Sequence, residues 1–488
     1  MSAEGLVEGF GVFMIAFFAL LNGTYLLFTA MAWRMITEYQ RSRSHQAVEE
    51  AFASPLTPPI SIFLPAYNES ASIVESVRSV LALRYPEFEV VVINDGSTDD
   101  TLPRLMEAFE LVETATVARE GVAHKPIRRT FLSARHPELV VIDKENGNGK
   151  ADAQNAGMSV ARYPYICAID SDGTIEEGAL LRIAKPLLDD PETVAATGGI
   201  IRIINGCRVE HGQITQVGLP RNPLATFQVL EYFRAFLVGR LAWSKMQSLL
   251  IISGAFGLFR REAVEAVGGW STEHIGEDME LVLRLHRYFR ERGEAYRIEF
   301  VADPVCWTEV PETLKGLSKQ RRRWQQGLIE SLWTHRRMML NPRYGAVGMI
   351  GFPYFVFFEM LGPLITMAGY VVLPLGFALG AINLTIFIAF LVVAILLGQL
   401  LSVSALALEE FSFRRHEQRR DIWRLVLYSL IENVGYRQLN DLWRIAGFRD
   451  LIGESQWGEQ ERRGLGAQPL GPAELPSAEP KERVSASG

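Results

Sequence analysis

Cysteine is scarce in this 488-residue chain: Cys167, Cys207 and Cys306 lie far apart and form no CxxC pair. That disfavours both a disulfide framework and a zinc site, and the three thiols read as reduced structural groups. The eight histidines are scattered without metal-ligand spacing. Positive charge is not in excess: 49 Lys and Arg against 56 Asp and Glu give a net charge of −7, so no nucleic-acid partner is expected. The GxxxxGK(S/T) pattern of a P-loop is absent, and no internal repeat is visible. The start carries Glu4 and Glu8 instead of a basic region, and its apolar run is long, both unlike a cleaved signal peptide.

Apolar residues make up 48% of the chain, high for a soluble protein with 22% charged residues. The excess lies at the two ends, and the length allows one large or two ordinary domains plus membrane helices. Residues 1–33 contain a nearly uncharged stretch, Phe10 to Trp33, long enough for a bilayer span of ~20 residues. Arg34, Arg41 and Arg43 follow, placing the linker 34–57 in the cytoplasm by the positive-inside rule. A second apolar region occupies 343–448. There Pro353 separates an interfacial piece from a span of about Tyr354 to Leu379, kinked near Pro363 or Pro374. A second span runs from Ile382 to Leu406, and Arg414, Arg415, Arg419 and Arg420 place its end in the cytoplasm. Residues 421–448 read either as an interfacial amphipathic helix or as a polar third span, because Glu432, Asn433 and Asn440 interrupt the apolar spacing. Residues 449–488 form a tail, Pro/Ala/Glu/Gly-rich from about 460 and expected to be disordered. Glu359 falls inside the first C-terminal span, where a carboxylate is costly and hence a functional candidate.

Between these ends, 58–342 reads as α/β. Ile60 to Leu64 is strand-like and breaks at Pro65-Ala66-Tyr67-Asn68-Glu69; Ser70 to Leu83 has helical spacing. Val90 to Ile93 breaks at Asn94-Asp95-Gly96-Ser97. Leu139 to Ile142 precedes Gly147-Asn148-Gly149-Lys150, and Tyr165 to Ile169 precedes Asp170-Ser171-Asp172-Gly173. Continuous apolar runs suit parallel strands covered on both faces. Ligands bind beyond the carboxyl ends of such strands, which here carry Glu69, Asp95, Asp170 and Asp172. Turn preference accounts for one acidic turn; three in succession are harder to assign to it. Phe227 to Ser253 reads as an amphipathic helix with Glu231, Arg234, Arg240 and Lys245, Ser253 to Gly257 as a glycine-rich loop or strand end, and Glu280 to Arg290 as a helix.

The carboxylates of Asp170-Ser171-Asp172 can hold Mg²⁺ or Mn²⁺ against a diphosphate, since these ions take oxygen ligands and keep positions open. Lys150, in a glycine turn opening a helix, suits phosphate contact, although a glycine-capped surface helix explains the segment equally well. Glu277-Asp278 lies at a helix start, where the dipole favours acids, and a carboxylate away from the metal pair can accept a proton. Gln320-Arg321-Arg322-Arg323-Trp324 can hold phosphate and stack on a sugar. Basic residues near a membrane also simply mark its cytoplasmic side.

In order, PAYNE (Pro65 to Glu69), NDGS (Asn94 to Ser97), GKADAQNAG (Gly149 to Gly157), DSD (Asp170 to Asp172), GED (Gly276 to Asp278) and QRRRW (Gln320 to Trp324) resemble the motifs of the processive family 2 membrane glycosyltransferases. These are the cellulose, hyaluronan, chitin and poly-N-acetylglucosamine synthases. The likeness covers about Pro58 to Trp324, with a similar membrane layout beyond. It departs at Gly276, where those synthases usually show threonine, and no appended β-barrel regulatory domain is visible. The resemblance implies a GT-A-like, doubly wound mixed α/β sheet with flanking transmembrane helices, in a bacterial inner membrane with the catalytic domain cytoplasmic. It implies a hexosyltransferase using a nucleotide-diphosphate sugar, most often UDP-linked, with Mg²⁺ or Mn²⁺. Pro65, Tyr67, Glu69 and Asp95 would then serve the nucleotide, and Lys150 and Asp170 would lie near its diphosphate, with Asp172 the main metal ligand. Asp278, beside Glu277, would be the general base of an inverting transfer; Gln320, Arg323 and Trp324 would hold the diphosphate and the acceptor end. The acceptor would be a growing polysaccharide exported through the protein's own helices, with accessory subunits as further partners. The alternatives are single addition to a lipid carrier or glycolipid, and a non-catalytic scaffold with a relict domain.

Overall fold

The computed structural model describes residues 3–42, 52, 54, 57–171, 173–210, 213–413, 415 and 418–451. Asp172 and residues 452–488, which include the stretch from about 460 expected to be disordered, lie outside the described residues.

A ten-stranded mixed sheet organises the centre of the chain. Its parallel core is β5 (Leu139–Lys144), β2 (Phe88–Asn94), β1 (Ile60–Ala66) and β6 (Tyr165–Ile169), side by side in that order. All five β6 residues are buried, as covered parallel strands require. The antiparallel β4 (Ile127–Ser133) and β3 (Leu111–Thr114) extend one edge. Beyond β6 come the antiparallel β11 (Phe256–Arg260), then β8 (Val194–Ile203), β12 (Arg297–Thr308) and the short β7 (Thr174–Ile175). A separate two-stranded pair is formed by β9 (Arg208–Glu210) and β10 (Gln213–Gln216).

The direction of β11 matters for the site. Because it runs antiparallel to β6, with Phe256 opposite Ile169, its entry loop Ser253-Gly254-Ala255 lies at the carboxyl end of β6. Helix Lys150–Val160 covers the sheet with small residues, Ala151, Ala153, Ala156 and Gly157, all buried. A Cβ on Gly157 would lie 3.2 Å from the Phe63 ring, so this helix sits closer to β1 than a larger side chain allows. Asn155 in the same helix exchanges two bonds with the Trp270 backbone, donating to its oxygen at 2.9 Å and accepting from its nitrogen at 2.8 Å.

Among the described residues two helices are long and apolar enough to cross a membrane, Gly5–Arg41 and Leu384–Ser412, or up to three if the bent pair Val347–Met360 and Gly362–Ala378 is one span. The N-terminal helix continues past Trp33 to Ser42, into the stretch expected to be linker. The bent pair turns by 45° at Leu361, next to Pro363. Asn22 donates to the Val393 carbonyl at 2.6 Å, and Phe17 packs on Phe358 at 5.1 Å, joining the N-terminal helix to both C-terminal elements. Residues 421–448 divide into helices Arg419–Ile431 and Tyr436–Asp450, separated where Gly435 takes φ +102°. The buried Glu432 at that break accepts from Arg437 at 3.1 Å and also binds Arg234 and Ser402.

Candidate active site

One cavity of about 1140 Å³ opens along the carboxyl edge of the parallel strands. Pro65, Tyr67, Glu69, Asp95, Lys150, Asp170, Glu277, Asp278, Gln320, Arg323 and Trp324 all line it. Every expected site residue within the described residues is therefore in this cleft; Asp172 lies outside them.

The first wall is turn chemistry. Asn68 takes a left-handed φ of 55° and accepts from Thr98 N at 2.8 Å, while its own N–H bonds Ser97 Oγ at 3.0 Å. Glu69 accepts from Ser72 Oγ at 3.0 Å, and Tyr67 stands 46% exposed over the opening. Gly96 is required by its φ of +67° and by a Cβ position only 2.9 Å from Asn146 N. Asp95 is more constrained than its motif suggests. Its Oδ1 accepts from the fully buried Lys144 at 2.6 Å and from Gly147 N at 3.0 Å, and Lys144 also pairs with Asp152 at 2.5 Å. This ion cluster ties the ends of β2 and β5 to the Lys150 helix. Burial pushes the Asp95 carboxyl up, against the pull of Lys144.

The centre is a charge cluster. Lys150 Nζ donates to the Gly254 carbonyl at 2.6 Å and forms an ion pair with Asp170 Oδ1. A Cβ on Gly254 would lie 3.2 Å from that ammonium and 3.6 Å from Glu277 Oε1, so the loop passes where only glycine fits easily. Burial opposes the Lys150 charge, but Asp170, Glu277 and Asp278 outweigh it and hold the ammonium above its ordinary range. Glu277 is pushed up to about 7, first by burial and then by Asp278. Asp278 is fixed by two backbone donors, Gly254 N to Oδ2 at 3.0 Å and Met279 N to Oδ1 at 2.8 Å. It stands in the first turn of helix Glu277–Arg292.

The far wall is helix Leu314–Thr334, on which Gln320, Arg323 and Trp324 share one face by their i, i+3, i+4 spacing. Partners are also defined for the other two arginines of the run. Arg321 pairs with Glu231 at 2.8 Å and lies 4.4 Å over the Trp324 ring. Arg322 binds Asp450 Oδ2 at 2.7 Å, on helix Tyr436–Asp450. The cleft then continues toward the apolar helices, past Phe355, Glu359, Asn440 and Arg444. Glu359 pairs with Arg444 at 3.4 Å and accepts from Tyr25 of the N-terminal helix at 3.5 Å.

Sequence reasoning missed Lys144, Arg240 and Arg444. Lys144 ends a strand whose apolar run stops at Ile142. Arg444 lies in 421–448, whose polar and apolar residues suit both an interfacial helix and a polar span. Arg240 ends a π-helical stretch, Phe233–Arg240, inside helix 223–245; its charge was noted, but the wider turn that sets its direction has no pattern in the sequence. Among the described residues no three His, Cys, Asp or Glu side chains converge as a metal cage. The donors fit a hard cation nonetheless. Asp170 offers carboxylate oxygen at a strand end, its side chain 35% exposed to the cleft, and Mg²⁺ or Mn²⁺ bind through few carboxylates plus phosphate oxygens.

Residues 61–268 match the family described as glycosyl transferase family 2, and residues 165–402 match glycosyl transferase family group 2. A poly-beta-1,6-N-acetyl-D-glucosamine synthase of Staphylococcus epidermidis is 32% identical over 281 residues, 56% of this chain and 57% of that protein. One from a second strain is 30% identical over 331 residues, covering 65% and 66%. The protein of that name from Staphylococcus aureus strain COL is 33% identical over 275 residues, covering 56% and 55%. The chain thus spans between about half and two-thirds of the length of these relatives. A mannosyltransferase from Pyrobaculum calidifontis, solved with GDP-Man and Mn²⁺, superposes with a TM-score of 0.50 over 91% of this chain and 99% of that one, at 18% identity. That likeness concerns the fold.

Proposed function

The chain belongs to glycosyl transferase family 2, and from that premise we propose that it extends a polysaccharide from UDP-N-acetylglucosamine by inverting transfer at a membrane. The observation that carries this reading is the single cleft joining the strand-end residues, Asp278 and the Gln320–Trp324 face to the apolar helices. The donor is inferred from the names of the relatives. A place in the bacterial inner membrane, with the catalytic domain cytoplasmic and several spans, is part of the proposal and is supported by the apolar helices and the arginines beside them. Export subunits remain part of the proposal.

In this mechanism Pro65, Tyr67, Glu69 and Asp95 bind the nucleotide, while Lys150 and Asp170 lie at its diphosphate. Asp170 and Asp172 would hold the divalent ion, which when bound neutralises charge developing on the leaving diphosphate. Asp278 takes the proton of the acceptor hydroxyl as that oxygen forms its bond to the anomeric carbon. The bond from that carbon to the diphosphate oxygen breaks with its electron pair, and UDP leaves. Attack from the opposite face inverts the centre without a covalent enzyme intermediate. Proton acceptance at a positioned carboxylate contributes ~10²–10⁴-fold. Arg323 and Gln320 supply donors at the diphosphate and acceptor end, and Trp324 offers an apolar ring for a sugar face.

Single addition to a glycolipid is the second reading, favoured by the approach of the cleft to Phe355 and Glu359. The test is to incubate membranes containing the protein with labelled UDP-N-acetylglucosamine and UDP-glucose, then size the product. A long polymer from the first donor is expected. A one-sugar lipid product would replace the processive reading with the second, and polymer from UDP-glucose alone would change the donor.

A further inference from the structure

We propose that Arg240 orients the acceptor sugar by donating a hydrogen bond to it, with Gln320 of the same cleft as the accepting partner; this rests on the transferase reading of the same site. Arg240 lines the cavity that holds Asp278 and Gln320. Its guanidinium lies 3.9 Å over the ring of Phe236, another cleft residue, so the side chain is clamped flat against the wall. Its Nη1 is buried and has no hydrogen-bond partner in the protein. Gln320 Oε1 is buried and unpartnered as well. One cavity therefore contains an orphan donor and an orphan acceptor, and native proteins leave few such groups unmatched.

A sugar supplies both partners at once, since each hydroxyl can accept from a guanidinium and donate to an amide oxygen. Neighbouring Tyr232 and Phe236 add aromatic surface of the kind that covers apolar sugar faces. The placement of Arg240 comes from the π-helical stretch that it ends, a register shift frequent at functional sites. Burial lowers its pKa to about 10, with Asp278 pulling the other way, so the group stays cationic at neutral pH. The diphosphate already has Lys150 and Arg323 at its end of the cleft, which leaves Arg240 for the neutral acceptor.

The test uses full-length protein in membranes or detergent with UDP-N-acetylglucosamine and short β-1,6-linked N-acetylglucosamine oligomers. Two rates are read from one preparation: sugar transfer to the oligomer, and release of UDP by water without oligomer. For Arg240→Gln the expected result is a fall of about 10–100-fold in kcat/KM for the oligomer. UDP release and the KM for the donor should stay within about twofold. Arg240→Lys should recover part of the loss. An unchanged oligomer kcat/KM overturns the inference. So does an equal loss of transfer and UDP release, which would assign Arg240 to the donor or to folding. If wild-type protein transfers nothing to the oligomers from either UDP-N-acetylglucosamine or UDP-glucose, it is the functional reading that fails.

Discussion

Gly276 and Gly327 meet backbone to backbone. A Cβ on Gly276 would stand 3.1 Å from Gly327 Cα, and one on Gly327 would stand 2.8 Å from Gly276 N. This contact sets the spacing between the helix that starts at Glu277 and the helix bearing Gln320 to Trp324. It also accounts for glycine where similar synthases usually show threonine: in this chain the facing position is another backbone. Asp278 and the Gln320–Trp324 face are thus registered by the absence of two side chains.

Gly327→Ala should therefore force the two helices apart. Overpacking of this kind destabilises by about 1–3 kcal/mol, and small displacements of reacting groups lower rates by up to about 10²-fold. A thermal melt and a transfer assay on the same preparation check both. Gly276→Thr, although it restores the commoner residue, should also lose activity. Wild-type rates in Gly327→Ala would show that the contact is incidental.

Asp278→Asn keeps shape but removes the proposed proton acceptor. Asparagine has one acceptor oxygen for the Gly254 and Met279 N–H groups, which bond to different oxygens of Asp278, so it keeps one of the two bonds and loses the other. Turnover is expected to fall by about 10² or more, with UDP binding nearly unchanged by titration. Collapse of UDP binding instead would give Asp278 a positioning role in place of a basic one.

Much of this site could be read from the sequence because parallel α/β sheets put ligands at strand ends, and apolar runs mark those strands. Glu69, Asp95 and Asp170 followed directly. The spacing of Gln320, Arg323 and Trp324 likewise fits one helix face, which separates them from Arg321 and Arg322, both held by carboxylates. Lys144 was not legible: a buried lysine has no periodic signature, and its role depends on Asp95 and Asp152 arriving from distant segments. Arg240 was noted only as a charge on a helix, because π-helical winding alters direction without altering composition. The segment 421–448 was left open because its polar residues suit both readings. Its division at Gly435, and the bond from Asp450 to Arg322, depend on tertiary contacts.

The divalent ion should be essential. Asp172→Asn is expected to abolish transfer while leaving expression and melting temperature near wild type, and EDTA should stop the wild type reversibly, with Mg²⁺ or Mn²⁺ restoring it. Full transfer by Asp172→Asn in EDTA would remove the ion from the mechanism.

Glu277 gives a pH prediction with a definite sign. Its carboxyl is raised from an ordinary 4.5 to about 7, by burial first and Asp278 second. Between these values the folded protein keeps a proton that the unfolded chain releases. Stability from this group is thus full below about pH 4.5 and falls as pH rises toward 7. Melting temperatures of wild type and Glu277→Gln, compared at acidic and mildly alkaline pH, should show wild type losing ground as pH rises. A difference independent of pH would mean that Glu277 does not titrate in this window.

Trp324 separates processive from single transfer. It is 44% exposed in the cleft, with Arg321 4.4 Å over one face of its ring, and shares a helix face with Arg323. The indole on this helix also lies near the apolar segments, so anchoring at a membrane interface competes with sugar stacking as its role. The cavity position favours stacking, since an anchor has no need to face a cleft that also contains Asp278. Trp324→Ala is expected to keep UDP binding and folding while long product disappears, because each extension needs the new chain end held against release. Packing between two aromatic rings is worth about 0.5–1.5 kcal/mol beyond buried area, and a sugar face on an indole is taken on the same scale. That is enough to shift the balance between the next addition and dissociation several-fold at every step, and the effect compounds with chain length. Gel sizing of labelled product from matched amounts of wild type and variant reads it directly. Product of unchanged length, with only expression reduced, would assign Trp324 to the membrane surface.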